Sequence, residues 1–272
     1  MSDFGFRVRS GSGSGPGFGS GSVFVRRRPR GGRGAAALAA AALLAAVATA
    51  CSSGDDGGSG SSSASAAAAT VAAVPSADAA ALGELTARVE GARIVLGDAD
   101  AAHTVKVYED PRCPYCKKFE QGGARALTPL VADGTVKVEY TLASFLDGNL
   151  GGSGSVTAVN ALRASVEAGR FPHYHAAVYA NQPADESTDA YTPDFLLKIA
   201  GTVDGLRGDT FDKAVRDTSY QSFVDAAMTA FKDDGVQSTP TVYIDGKEAG
   251  GGEGALYDEA QFKAVLKDAG IS

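Results

Sequence analysis

Cys113 and Cys116 stand one helical turn apart in Cys113-Pro114-Tyr115-Cys116, the stretch of this chain whose residue types and spacing best suit thiol chemistry. An extended pattern over residues 105–108 runs into it through Glu109, Asp110, Pro111 and Arg112. A helical apolar period, Phe119, Ala124, Leu127, Leu130 and Val131, runs out of it. The pair is therefore expected at a strand-to-helix junction. Cys113 would be the N-cap and Pro114 the first helical residue, where a missing N–H costs nothing and the fixed φ suits the helix. The free backbone N–H groups and the positive end of the helix dipole there favour a thiolate, lowering the pKa of Cys113. Cys116, one turn deeper, is placed to attack a mixed disulfide formed on Cys113. Two sulfurs could instead hold a metal, with His173 and His175 completing a zinc or copper set. Positions i and i+2 of a helix point apart, however. Both histidines are expected to be surface or packing residues of a helix, and no metal site is expected.

The elements that must position these thiols occupy the second part of the 272-residue chain. Residues 1–34 are Gly/Ser-rich and then basic, with Arg26, Arg27, Arg28, Arg30 and Arg33, and cannot bury a core. A translation start near Val23 would leave an export signal of ordinary length, its apolar region at residues 35–50 too short to span a bilayer as a helix. That region ends Val47-Ala48-Thr49-Ala50-Cys51, and a small residue before cysteine at this point resembles a bacterial lipobox. The resemblance implies lipidation of Cys51, with Sec and Tat export both open. Without residues 1–50, which hold seven of the 25 Lys+Arg and one of the 32 Asp+Glu, the chain has 18 basic and 31 acidic side chains, a net −13. Such acidity argues against nucleic acid or an anionic membrane surface as partner. With Cys51 acylated, Cys113 and Cys116 are the only thiols left.

Residues 52–81, rich in Ser, Ala, Gly and Asp, suggest a flexible tether. An apolar triplet, Ile94-Val95-Leu96, opens the folded part, and a second strand is expected over residues 136–142 after the turn Asp133-Gly134. The first half is thus a β-α-β unit at residues 90–147. Residues 148–231 hold only helical periods: Val156, Val159, Leu162, Val166, then Phe171, Tyr174, Val178, then Phe195, Leu196, Ile199 behind Thr192-Pro193-Asp194. Strands resume at residues 241–244, turn at Asp245-Gly246, and give way to a last helix capped by Asp258 with Gln261 in capping-box spacing, so that residues 232–272 complete the domain.

Far downstream of the thiols, Ser238-Thr239-Pro240-Thr241-Val242-Tyr243-Ile244-Asp245-Gly246 stands just before a strand. With Asp110-Pro111, the Cys-Pro-x-Cys and the intervening helices, including Asn181-Gln182-Pro183, it resembles the DsbA-like group of thioredoxin-fold oxidoreductases over roughly residues 94–269. The resemblance implies an α/β fold, a central mixed sheet flanked by helices with an all-helical insertion. It makes Cys113 the nucleophile, Cys116 the resolving thiol, Pro240 a cis proline and Thr239 the residue whose backbone meets an extended substrate. Pro114, Tyr115 and Asp110 are candidates for tuning the pKa of Cys113, as are the flanking Arg112, Lys117 and Lys118. The buried acid that thioredoxins carry six residues before the nucleophile is replaced by Val107, leaving Glu109 or Asp110 to relay protons, with a cap or turn role the expected one for Asp110. No cofactor beyond a Cys113–Cys116 disulfide is implied. The activity implied is a dithiol oxidase, outside the cytoplasm and on a lipid anchor or secreted. Its partners would be exported cysteine-containing proteins and a quinone-linked DsbB- or VKOR-type membrane protein. A reductase or isomerase with the same fold, served by a membrane donor of electrons, and a zinc- or copper-binding metallochaperone lipoprotein are the alternatives.

Overall fold

A computed structural model describes residues 70–252 and 254–272. The signal region and Cys51 lie outside the described residues. Helix α1 (Ser76–Gly83) leads into a hairpin of strands β1 (Ala87–Glu90) and β2 (Arg93–Leu96), then strand β3 (His103–Glu109) and helix α2 (Pro114–Gln121). Helix α3 (Leu127–Ala132) and strand β4 (Val136–Leu142) complete the first half. The insertion comprises α4 (Leu146–Leu150), α5 (Gly154–Glu167), α6 (Phe171–Ala180), α7 (Pro193–Ala200), α8 (Asp209–Arg216) and α9 (Gln221–Asp233). Strands β5 (Thr241–Ile244) and β6 (Lys247–Glu248) and helix α10 (Glu259–Asp268) close the chain. The sheet order is β1-β2-β4-β3-β5-β6, with β3 parallel to β4 and every other pairing antiparallel.

Register is what brings the distant halves of the site together. Val107 pairs with Val242 and Tyr108 with Thr241 across β3 and β5. Because these strands are antiparallel, the residues just before β5 must lie beside the chain leaving β3. Thr239 and Pro240 therefore stand next to Cys113, 126 positions away in sequence. The hairpin that sets this register turns at Asp245 and Gly246, both with positive φ, which is the geometry of a two-residue turn.

Two expectations need correction. The tether assigned to residues 52–81 overlaps α1, which packs on α6 and α3. Its run Ser-Ala-Asp-Ala-Ala-Ala-Leu-Gly has high helix propensity but almost no apolar period, so pattern alone does not separate it from a linker. The single helix expected after Cys113 is broken instead into α2, a 3-10 turn at Gly123–Ala126, and α3. Gly122 and Gly123 lie against the backbone carbonyls of Tyr257 and Leu256, where a Cβ would clash, and this close approach ends the first helix. The caps read from sequence are present: Thr192 accepts from the Phe195 N–H at 3.3 Å, and Asp258 from the Gln261 N–H at 2.9 Å.

The main core lies on the face of β3 and β4 that carries Val105, Val107, Val136 and Val138, all fully or almost fully buried, and a smaller cluster of Ala143, Phe231 and Val236 covers Tyr108 on the other face. Phe119 of α2 meets Phe262 of α10 edge-on, ring centroids 5.7 Å apart, and neither is exposed. This contact fixes the helix that carries the thiols. Phe119→Ala is expected to lower stability by about 3–5 kcal/mol, to be measured as a fall in the chemical-denaturation midpoint with unchanged slope.

Candidate active site

Cys113 has extended backbone angles, φ −69° and ψ 120°, and is the N-cap of α2 with Pro114 at the first position. Asp110 builds the turn that delivers it. One carboxylate oxygen accepts from the Arg112 N–H at 3.0 Å and the Ser155 hydroxyl at 2.6 Å, and the other accepts from the Leu146 N–H at 3.1 Å. The Cys113 N–H donates to the Asp110 carbonyl at 2.9 Å. Asp110 thus shapes the turn and binds it to the insertion, and burial raises its pKa to about 6.

The two thiols meet opposite environments. Cys113 is 6% exposed and Cys116 not at all, and both are free. A hydrogen bond from the Cys116 thiol is the largest influence on Cys113; with the Thr239 hydroxyl and the Cys116 and Tyr115 N–H groups it outweighs desolvation and lowers the pKa to about 6. Cys116 is pushed well above its ordinary value, first by burial and then by the neighbouring Cys113. In thiol form Cys113 donates to the Thr239 carbonyl at 3.2 Å, and the Thr239–Pro240 bond beside it is cis.

The flanking cations point elsewhere. The Arg112 side chain, 2% exposed, donates to Asp147 at 2.8 Å and to the carbonyls of Gly151 at 2.7 Å and Glu186 at 3.0 Å. Lys117 donates to the Gln182 carbonyl at 3.0 Å, and the Lys118 amine lies 4.6 Å from the centroid of the Tyr115 ring. Tyr115 itself is 52% exposed against Tyr257 and acts on Cys113 through its backbone N–H. Gln182, assigned no role from sequence, holds the nucleophile's own segment: its side-chain amide donates to the carbonyls of Pro111 at 2.8 Å and Cys113 at 2.9 Å. A glutamine preceding a proline at the end of a helical run carries no sign of that function.

Beneath Cys116 lies a cluster that spacing did not reveal. Glu109, fully buried at the end of β3, meets the His175 Nε2 at 2.5 Å, and the His175 Nδ1 is 3.5 Å from Glu120. Burial is the largest effect on all three, raising both carboxyl pKa values and lowering that of the imidazole. His175 is a packing residue as expected, but it packs against the acids under the thiols. His173 instead reaches the Ala79 carbonyl at 2.9 Å, so the set of both histidines and both cysteines is not assembled. Glu109, Glu120 and His175 do bring three donor atoms within 4.8 Å of one another, the arrangement among the described residues that a metal ion could use.

Residues 90–268 match the family described as Thioredoxin. The chain belongs to the thioredoxin family. Disulfide bond formation protein D of Bacillus subtilis (strain 168) is 25% identical over 155 residues, which cover 56% of this chain and 68% of that protein. The structure of BdbD from Bacillus subtilis, oxidised, matches with a TM-score of 0.55 at 22% identity, covering 67% of this chain and 97% of that one. MdbA, a thiol-disulfide oxidoreductase from Corynebacterium matruchotii, matches with a TM-score of 0.50 at 25% identity over 64% of this chain and 94% of its own. Thus the mixed sheet and inserted helices of this thioredoxin-family chain have counterparts in solved structures.

The asymmetry of the thiols has a measurable signature. Iodoacetamide labelling of the reduced chain, read by peptide mass, is expected to titrate at Cys113 with a midpoint near pH 6 and to spare Cys116 up to about pH 9. The folded pKa of Cys113 lies below its unfolded value of about 8.5. Its contribution to the stability of the reduced form is therefore complete above that value and lost as pH falls through about 6.

Proposed function

We propose that this thioredoxin-family thiol-disulfide oxidoreductase, of the DsbA type, works as a dithiol oxidase on exported proteins. The observation that carries the reading is a Cys113 thiolate held at a helix N-terminus over a buried, protonated Cys116. Such an arrangement stabilises the reduced pair and so makes its disulfide a better oxidant. A substrate cysteine thiolate attacks Sγ of Cys113 in the Cys113–Cys116 disulfide, forming a mixed disulfide and releasing Cys116. A second substrate thiolate attacks the substrate sulfur and expels Cys113 as thiolate, leaving a substrate disulfide and a reduced pair.

An extended substrate would run beside Thr239 and Pro240, whose segment meets the nucleophile at the Thr239 carbonyl. Reoxidation falls to a membrane partner of the DsbB or VKOR type, which removes two electrons from the reduced pair. No helix among the described residues is long and apolar enough to cross a membrane. Attachment would come through a lipid on Cys51, a position outside the described residues, and secretion after signal cleavage is the alternative. The names of the Bacillus and Corynebacterium relatives, a disulfide bond formation protein and a thiol-disulfide oxidoreductase, support the same chemistry.

Trapping separates the roles of the two sulfurs. Cys113→Ser is expected to reduce disulfide exchange with a reduced, unfolded dithiol substrate to background. Cys116→Ser should accumulate a mixed disulfide visible on non-reducing gels and absent after dithiothreitol. Retention of exchange by Cys113→Ser would refute the assignment.

A further inference from the structure

Three elements meet around the cysteine turn at a set of buried acceptors that the chain itself does not satisfy. Glu109 ends β3 four residues before Cys113, Glu120 lies on α2 about one turn beyond Cys116, and His175 is on the inserted helix α6. Glu109 is 0% exposed and His175 4%, and the Glu120 side chain is 10% exposed. His175 Nε2 meets Glu109 Oε1 at 2.5 Å. The other ring nitrogen, Nδ1, stands 3.5 Å from Glu120 Oε2, beyond ordinary hydrogen-bond length. A neutral ring carries one proton. When Nε2 donates it to Glu109, Nδ1 and Glu120 face each other as two acceptors with nothing between them.

Further atoms here lack a partner. Glu109 Oε2, Glu120 Oε1 and the Tyr179 hydroxyl accept and donate no hydrogen bond. Tyr179 is 1% exposed, and its ring centroid is 5.1 Å from that of His175. Buried polar groups are seldom left in this state. The ion-pair partner of both acids is His175, which brings at most one positive charge to two carboxyl groups. Two carboxylates taken out of water side by side need more than that.

We propose that Glu109, Glu120 and His175 hold one divalent transition-metal ion of the zinc type, which ties the inserted helix α6 to both sides of the cysteine turn. The three donor atoms lie within 4.8 Å of one another. Ligands of a tetrahedral zinc ion stand about 3.3 Å apart, so side-chain shifts of about 1 Å close the set. The Nδ1 to Glu120 spacing of 3.5 Å is already close to that value. An ion on Nδ1 leaves the Nε2 proton on Glu109, the pairing that commonly orients a metal-bound imidazole. The second Glu109 oxygen is then free to ligate, and two carboxylates balance the ion's charge. One imidazole with two carboxylates suits zinc better than calcium, which takes about six to eight oxygens.

The site has an entry path. A cavity of about 550 Å³ under α1 is lined by Glu120, His175 and Tyr179, with room for the water that completes the coordination. Asp78, Glu84 and Glu259 stand on its wall against Arg125 alone among basic residues, a balance that favours a cation. This set leaves both sulfurs free for exchange, and it serves either direction of electron flow.

The test titrates zinc by calorimetry into the untagged full chain, chelator-treated, carrying Cys51→Ser and oxidised so that the disulfide removes Cys113 and Cys116 from competition. One equivalent is expected to bind. His175→Ala and Glu120→Gln should each weaken binding at least tenfold, by about the factor lost with a metal's supporting groups or more. His173→Ala, whose ring bonds the Ala79 carbonyl instead, should bind as the parent does. Zinc-edge X-ray absorption of the loaded parent reads the ligands without any variant: nitrogen and oxygen at about 2.0–2.2 Å, imidazole scattering, and no sulfur near about 2.3 Å. Absence of binding, a zinc shell with sulfur or without imidazole, or parent-like affinity in folded His175→Ala and Glu120→Gln would each overturn the site. Disulfide exchange by the same preparation is read separately, so loss of the site leaves the oxidoreductase reading intact.

Discussion

One turn of helix separates two sulfurs that solvent treats differently, and the rest of the molecule maintains that difference. Cys113 sits where α2 still has free N–H groups; Cys116 sits on the buried face of the same helix with Phe119 and is fully buried. A thiolate is stabilised by the first position and excluded from the second. The Phe119–Phe262 contact holds α2 in this depth, and the close approach of Gly122 and Gly123 to the backbone before α10 stops the helix from sliding outward.

The helical insertion is more than a spacer between the halves of the domain. Arg112 ties the residue before the nucleophile to the loops around α4 and before α7, and Gln182 holds the carbonyls of Pro111 and Cys113. Asp110 is bonded to Ser155 at the start of α5. The nucleophile's turn is thus built jointly by the sheet domain and the insertion. A displacement of the insertion would be felt at Cys113 directly. The same insertion supplies His175 to the acids beneath Cys116, so both sulfurs owe part of their environment to it.

What could be read from the sequence was what is local or set by register. The N-cap cysteine with proline behind it, the Asp245-Gly246 turn and the caps at Thr192 and Asp258 each depend on a few adjacent residues. Pro240 is placed by the family resemblance of its segment, and the register of β3 with β5 is what sets it beside the thiols. Glu109, Glu120 and His175 could not be grouped, since Glu109 and His175 lie 66 positions apart and polar residues are ordinarily exposed. Gln182 escaped for the same reason. For Arg112, Lys117 and Lys118 the ordinary expectation is a solvated side chain, and proximity in sequence does not show that Arg112 is buried on Asp147 or that Lys117 reaches the Gln182 carbonyl. Helix α1 was hidden by an alanine-rich composition that serves linkers and helices alike.

The central claim is that the fold favours the reduced pair through the Cys113 thiolate, and its most direct test is the equilibrium potential of the purified chain in glutathione buffers. The account predicts a value well above the roughly −270 mV of thioredoxin, displaced toward the roughly −120 mV of DsbA. A potential at or below that of thioredoxin would contradict it, since a thiolate so held would then fail to weaken the disulfide.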